Sequence, residues 1–442
     1  MAGSHRAPRG GSRAAAREAR RQKARKRNQT IAAGVAVVLL VGGGGVAALN
    51  AFGGDDDSPG SSASTSDDKS TQSNVLADAK VLLDGTTTKP LGATGAWAIT
   101  QTADGSTAPE RAFVCQSQRF ADPAGLRTWV RTFQNSATKN TAVQYVEVSN
   151  DANAASKAYS SIVGWLGQCS TPQIRLTSSY VTTGVGQRGV IAVFGQPSGG
   201  KTKYKTIAVS LAGQATMVLE HDTTASTPPK PDPVLAAAAA GVKRICAQTG
   251  GCGTGAATAK PSLLPTTEPA GFMAPVDLPV LDDIDKPWVS AGAQVGSGTG
   301  CEKLNFSKAK ATKFKAQTYV APEAKVPTEF GLDDTVAKFA TPAAANDFVT
   351  QIRKNVDGCE KNVSNAKVKS TGSVSTASIK GESWRATYDI VGGKTFTYRI
   401  GIATAGSRAV YVVFPVLKGL DISDTAFNET LTRAAERSVT FT

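Results

Sequence analysis

An internal duplication marked by cysteines constrains this chain more than any other feature. Cys115 and Cys169 lie 54 residues apart, and Cys301 and Cys359 lie 58 apart. At an offset of 190, Val146, Ala154, Ala155, Ile162 and Cys169 recur as Val336, Ala344, Ala345, Ile352 and Cys359. Ala155, Ala158, Tyr159, Ile162 and Leu166 match Ala345, Phe348, Val349, Ile352 and Val356, the apolar stripe of an amphipathic helix. Asn150 or Asp151 is placed to cap the first copy, and Thr341 followed by Pro342 to open the second.

The correspondence resumes at an offset of 193, where Gly200-Lys201-Thr202 and Ala212-Gly213 match Gly393-Lys394-Thr395 and Ala405-Gly406. Alternating runs flank these glycines and predict hairpin-linked antiparallel strands. Asp232-Pro233 opens an alanine-rich terminal helix in copy one, and Ser423 is placed to cap one carrying Phe427, Leu431, Ala434 and Ala435 in copy two. Each unit therefore reads as a strand group, a helix, a three-strand meander and a terminal helix. The expected class is α+β, with two tandem antiparallel-sheet-plus-helix domains.

Before the repeats, residues 1–29 carry ten Lys and Arg against the single acid Glu18, whereas the remainder holds 39 basic and 34 acidic residues. The net charge of +14 is thus mostly one arm, and no nucleic-acid groove is expected. The uncharged stretch from Ile31 to Phe52 is long enough to span a bilayer, and Asp55, Asp56 and Asp57 follow it. The cationic side should stay cytoplasmic. The apolar run exceeds a typical signal-peptide core and no convincing cleavage site follows, so an uncleaved single-pass anchor is expected, with the bulk of the chain outside the cell membrane. The expected division is a basic arm 1–29, anchor 30–52, flexible linker 53–75, repeat one 76–252, linker 253–268 and repeat two 269–442.

Six cysteines outside the membrane should pair. The repeat selects Cys115–Cys169 and Cys301–Cys359, leaving Cys246 and Cys252 to close a short loop. Catalytic motifs weigh little. Gly195 to Thr202 satisfies the P-loop pattern, but Lys203 to Leu211 alternates like a strand where a phosphate-binding loop must open a helix. Ser-x-x-Lys occurs four times without a Lys-Thr-Gly partner. Only His5 and His221 exist, which argues against Ser-His or Cys-His nucleophile systems and multi-histidine zinc sites. His221 is expected at a strand end.

The alanine-rich helix ending in cysteine (Asn153 to Cys169, and Ala343 to Cys359), its upstream cysteine, and the following strands and helix resemble the extracellular sensor domain of the actinobacterial kinase PknH. The resemblance implies an antiparallel sheet with helices, a cleft and ligand sensing outside the cell. This chain departs from the family in having two copies and no kinase domain, and its second copy lacks the second cysteine pair. The leading expectation is a non-enzymatic, membrane-anchored ligand-binding or sensor-like envelope protein. An envelope scaffold for a protein partner or cell-wall polymer is the alternative, and a hydrolase using carboxylates alone comes third. No cofactor or metal is expected. Arg127, Trp129 and Arg131 alternate along one strand and share a face, so they are the candidate ligand-binding residues.

Overall fold

The structure is a computed structural model that describes residues 75–442 except 199, 282, 283, 294, 323, 324, 328, 329, 391 and 392. The described residues belong to one compact unit, Thr65–Thr442. The basic arm, the expected anchor and nearly all of the 53–75 linker lie outside them. No helix among the described residues is long and apolar enough to cross a membrane.

Repeat one contains β1 (Trp97–Asp104), β2 (Arg127–Asn135), β3 (Thr141–Val148), α1 (Ala152–Gly167), β4 (Arg175–Thr183), β5 (Arg188–Ser198), β6 (Lys201–Ala212), β7 (Ala215–Ala225), α2 (Asp232–Thr249) and β8 (Thr258–Pro261). Repeat two contains β9 (Val289–Ala293), β10 (Lys313–Val320), β11 (Gly331–Lys338), α3 (Pro342–Asp357), β12 (Ala366–Ser375), β13 (Ile379–Ile390), β14 (Lys394–Ala405), β15 (Arg408–Val416) and α4 (Asp424–Ser438). The first sheet runs β1-β2-β3-β7-β6-β5-β4-β8, and the second runs β9-β10-β11-β15-β14-β13-β12. Apart from β8 the order is the same, so the duplication extends to topology. The meander after each first helix has four strands rather than the expected three, because the segments following Cys169 and Cys359 each supply an additional strand.

Local chemistry explains the elements. Asp151 accepts the Ala154 amide hydrogen at the start of α1, and Thr341 does so for Ala344 with Pro342 in the first turn of α3. Ser423 caps α4 through Ala426. The Gly195–Ser198 and Lys201–Thr202 segments are strand, the end of β5 pairing with the start of β6 through Ser198 and Lys201, and Gly200 sits at φ 78°. A second glycine in copy one is fixed by a neighbour, since a Cβ on Gly213 would lie 1.8 Å from the Thr249 carbonyl oxygen.

Each sheet buries both faces. In repeat one, α1 covers a core with Tyr145, Ile162, Phe194, Ile207 and Val218, while α2 covers another with Val146, Ala208, Leu219 and Ile245. In repeat two, α3 covers Trp384, Ile400 and Tyr411, and α4 covers Tyr319, Val336, Val410 and Phe414. The three disulfides are Cys115–Cys169, Cys246–Cys252 and Cys301–Cys359. The two long ones tie the tail of each first helix to a loop more than fifty residues upstream, a closure that stabilises by about 4 kcal/mol on the chain-entropy view.

A strap precedes the strands in each copy. Leu82 and Leu83 in the first, and Phe272 and Met273 in the second, enter the core beneath the terminal helix. The segment expected to be a linker, 253–268, carries β8, which pairs antiparallel with β4. The second strap also reaches into repeat one, where Leu264, Ala274 and Val276 join the core under α1. Asp277 on that strap is fully buried and pairs with Arg437 of α4 at 2.9 Å, while Arg437 donates to the Leu264 carbonyl at 2.6 Å. The equivalent pair in copy one, Asp84 and Arg244, is partly exposed at 2.6 Å.

Candidate functional site

The candidate residues on β2 are brought together, but against the chain's own strap. Trp129 Nε1 donates to the Leu76 carbonyl at 2.9 Å, and Arg127 Nη1 donates to the same oxygen at 3.3 Å. Arg131 Nη1 donates to the Leu83 carbonyl at 2.9 Å and its Nε to Thr102 Oγ1 at 2.9 Å. A ligand on this face would have to displace Leu76–Leu83, whose leucines are buried. In copy two the comparable strand does the same task with other chemistry: the Tyr319 hydroxyl donates to the Met273 carbonyl at 2.7 Å, and Gln317 Nε2 donates to Glu268 at 2.6 Å.

The buried titratable groups are also internal. His221 lies within β7 rather than at a strand end, edge-on to Trp97, and burial lowers its pKa to about 4. Glu220 is pushed up to about 7 by burial, with the Lys205 ammonium at 2.9 Å opposing the shift. Lys205 also holds Asp222 at 2.7 Å, so these two carboxylates share one cation along a single strand and do not face each other across a cleft. Asp334 on β11 is raised to about 8 by burial. Its counterpart Gln144 accepts the Leu83 amide hydrogen at 2.8 Å. Among the described residues no cluster of three or more His, Cys, Asp or Glu is placed to hold a metal ion.

Two larger concavities remain. One, of about 680 Å³, lies between the β4–β6 ends of repeat one and α4 of repeat two. Its cations are committed: Arg175 pairs with Glu429 at 2.8 Å, and Arg433 with Glu436 at 2.9 Å and with the Thr177 carbonyl at 3.1 Å. The other, of about 660 Å³, runs between α1, the β4–β5 pair and residues 262–267. Its walls carry Val163, Val181, Val190, Leu263 and Pro265, and Val181 is 42% exposed. The volume suits a small molecule, and the mixture of apolar wall and few polar groups is that of a ligand site.

Strand register decides which side chains face this groove. Thr182 on β4 sits opposite Gly189 on β5, where a Cβ would lie 2.2 Å from Thr182 Oγ1. Gly189 therefore makes room for the threonine side chain on the face away from the groove, while Val181, Arg188 and Val190 alternate onto the α1 side. That hydroxyl is buried and makes no hydrogen bond among the described residues. On α1, Gly164 presents backbone to the groove, with open space around a would-be Cβ out to Gln168 at 3.9 Å. Arg188 stands at the rim with its guanidinium 4.7 Å from the Tyr159 ring centroid, and its Nη1 reaches Ser156 Oγ at 3.4 Å.

Repeat two has a depression at the matching place, between α3 and β12–β13, of about 380 Å³. Arg353 occupies the helix position of Val163, and Glu382 the strand position of Val190, as the offset of 190 and the β13–β14 register require. Arg353 Nη1 and Glu382 Oε1 are 2.8 Å apart, bridging helix and sheet, and Trp384 Nε1 donates to Asp357 at 2.9 Å beside them. Burial raises the Glu382 pKa, with Arg353 opposing. One copy thus carries an ion pair where the other carries two valines.

No protein-family model matches the chain, and no curated protein matches it. Among solved structures, DynU16, a protein of the dynemicin biosynthetic locus, is 12% identical over 68% of this chain and 94% of its own, with a TM-score of 0.12. At that score the similarity carries no argument about fold or function.

Proposed function

We propose that the protein is a non-enzymatic, membrane-anchored, extracytoplasmic ligand-binding or sensor-like protein, and that its first repeat holds the ligand. The observation that carries this reading is the valine-lined groove of about 660 Å³ in repeat one, set against the ion-pair-bridged depression in repeat two. The resemblance of each repeat to the PknH sensor domain, the basic arm and the apolar stretch 31–52 support the envelope location. The three structural disulfides suit an oxidising compartment. The scaffold alternative has a narrower basis: of the exposed large apolar side chains, Ile390 and Phe396 share one hairpin.

Native mass spectrometry of the full chain purified from its own host tests the reading. A non-covalent adduct should appear on the wild-type chain and be lost from Gly164→Trp, which fills the groove from a helix position with free space around it. Equal adducts on both would remove the groove from consideration.

A further inference from the structure

We propose that the groove of repeat one takes an amphiphile with an apolar body and an anionic head, the head being held by Arg188; this rests on the reading of the groove as the ligand site. Arg188 is the only charged residue among those lining the groove. It has no carboxylate partner among the described residues, its contacts being the Tyr159 ring and the Ser156 hydroxyl. A guanidinium so placed keeps most of its five donors for a carboxylate or phosphate.

The second copy supplies the internal comparison. Lys380 occupies the position of Arg188, as its pairing with Thr404 against that of Arg188 with Leu211 shows. There the rim cation has Glu382 two residues along the same strand, and Glu382 is bound to Arg353. In repeat one the position of Glu382 is Val190. Copy two therefore contains its own anion in the wall, whereas copy one offers an apolar wall beside a cation whose counter-charge must come from outside. The exposed Val181, paired with Val190, extends the same apolar trough.

The experiment uses the full chain in phosphatidylcholine nanodiscs and a diazirine-bearing palmitic acid as photoprobe, with adducts located by peptide mapping. Adducts should fall on residues 156–168, 181–190 and 262–267 and be absent from Gly164→Trp. Palmitate should compete about tenfold better than palmityl alcohol, one charge-assisted contact's worth. Hexadecyl phosphate run beside palmitate separates a phosphate from a carboxylate head, and either one outcompeting the alcohol supports the proposal. Arg188→Gln should abolish that preference while the alcohol still competes, and Arg188→Lys should retain it, which separates loss of charge from loss of fold. Groove adducts with acid and alcohol competing equally would overturn the anionic head but leave the groove as a site. Adducts lying elsewhere, or persisting in Gly164→Trp, would overturn the groove itself.

Discussion

The two repeats share a strand order and helix positions, yet they place their charges in opposite ways. In copy one the strap carboxylate Asp84 meets Arg244 at a partly exposed surface, and the helix–sheet groove is lined by valines. In copy two the strap carboxylate Asp277 is sealed in with Arg437, and the groove is crossed by Arg353 and Glu382. The first copy is thus built to leave space, and the second to close it. Tertiary burial, rather than the identity of the ion pair, decides what each pair contributes.

The sharpest way to break that comparison is to delete the two equivalent arginines. Arg437→Ala removes the nearer of two guanidinium groups beside the buried Asp277, leaving Arg433 at 3.6 Å, and should cost about 3 kcal/mol. Arg244→Ala, at a solvated pair, should cost about 1 kcal/mol or less. Chemical denaturation of the two variants measures both, and similar losses would show that the second junction is not the special one.

An effect smaller for each pH unit, but comparable when summed over the window, separates Asp334 from its counterpart Gln144. With a folded pKa of about 8 against an ordinary 3.8, Asp334 holds its proton in the fold and releases it in the unfolded chain, so stability falls as pH rises from about 4 and levels off above 8. Asp334→Asn removes that dependence. Its advantage should grow by up to about 1.4 kcal/mol for each pH unit within this window and vanish at pH 4. Denaturation midpoints that do not diverge between pH 4 and pH 8 would refute it.

The smallest change in stability is expected from converting one groove into the other. Arg353→Val with Glu382→Val removes a half-exposed pair and should alter stability by about 1 kcal/mol or less. It should nevertheless create apolar photoprobe labelling between α3 and β13. The reciprocal Val163→Arg with Val190→Glu should suppress labelling in repeat one. If neither exchange moves the labelling, the paired difference does not set groove access.

The first helices were readable because their apolar residues recur at helical spacing and end in matched cysteines, and the glycine turns because two copies repeat them. The straps were not: Leu76, Leu82 and Leu83 surround short turns with no period for a sequence to display. β8 was hidden because Thr-Ala-Lys-Pro borrows its structure from the open edge of β4. On β2 the shared face was legible, but its occupant, a strap about fifty residues upstream, was not. The groove did leave a signal in the aligned copies, since Val163 and Val190 change together into Arg353 and Glu382. Such a coupled exchange gains meaning only once helix and strand are known to face each other.

The insertion of the second strap into the first core also sets an order of assembly. Synthesis proceeds from the N-terminus, and domains ordinarily fold as they emerge. Here the side of repeat one beneath α1 lacks Leu264, Ala274 and Val276 until the ribosome has passed the start of repeat two. The first repeat therefore waits, partly uncovered, for its successor. Severing the chain between the copies would yield not two domains but one unfinished domain and another with surplus apolar residues.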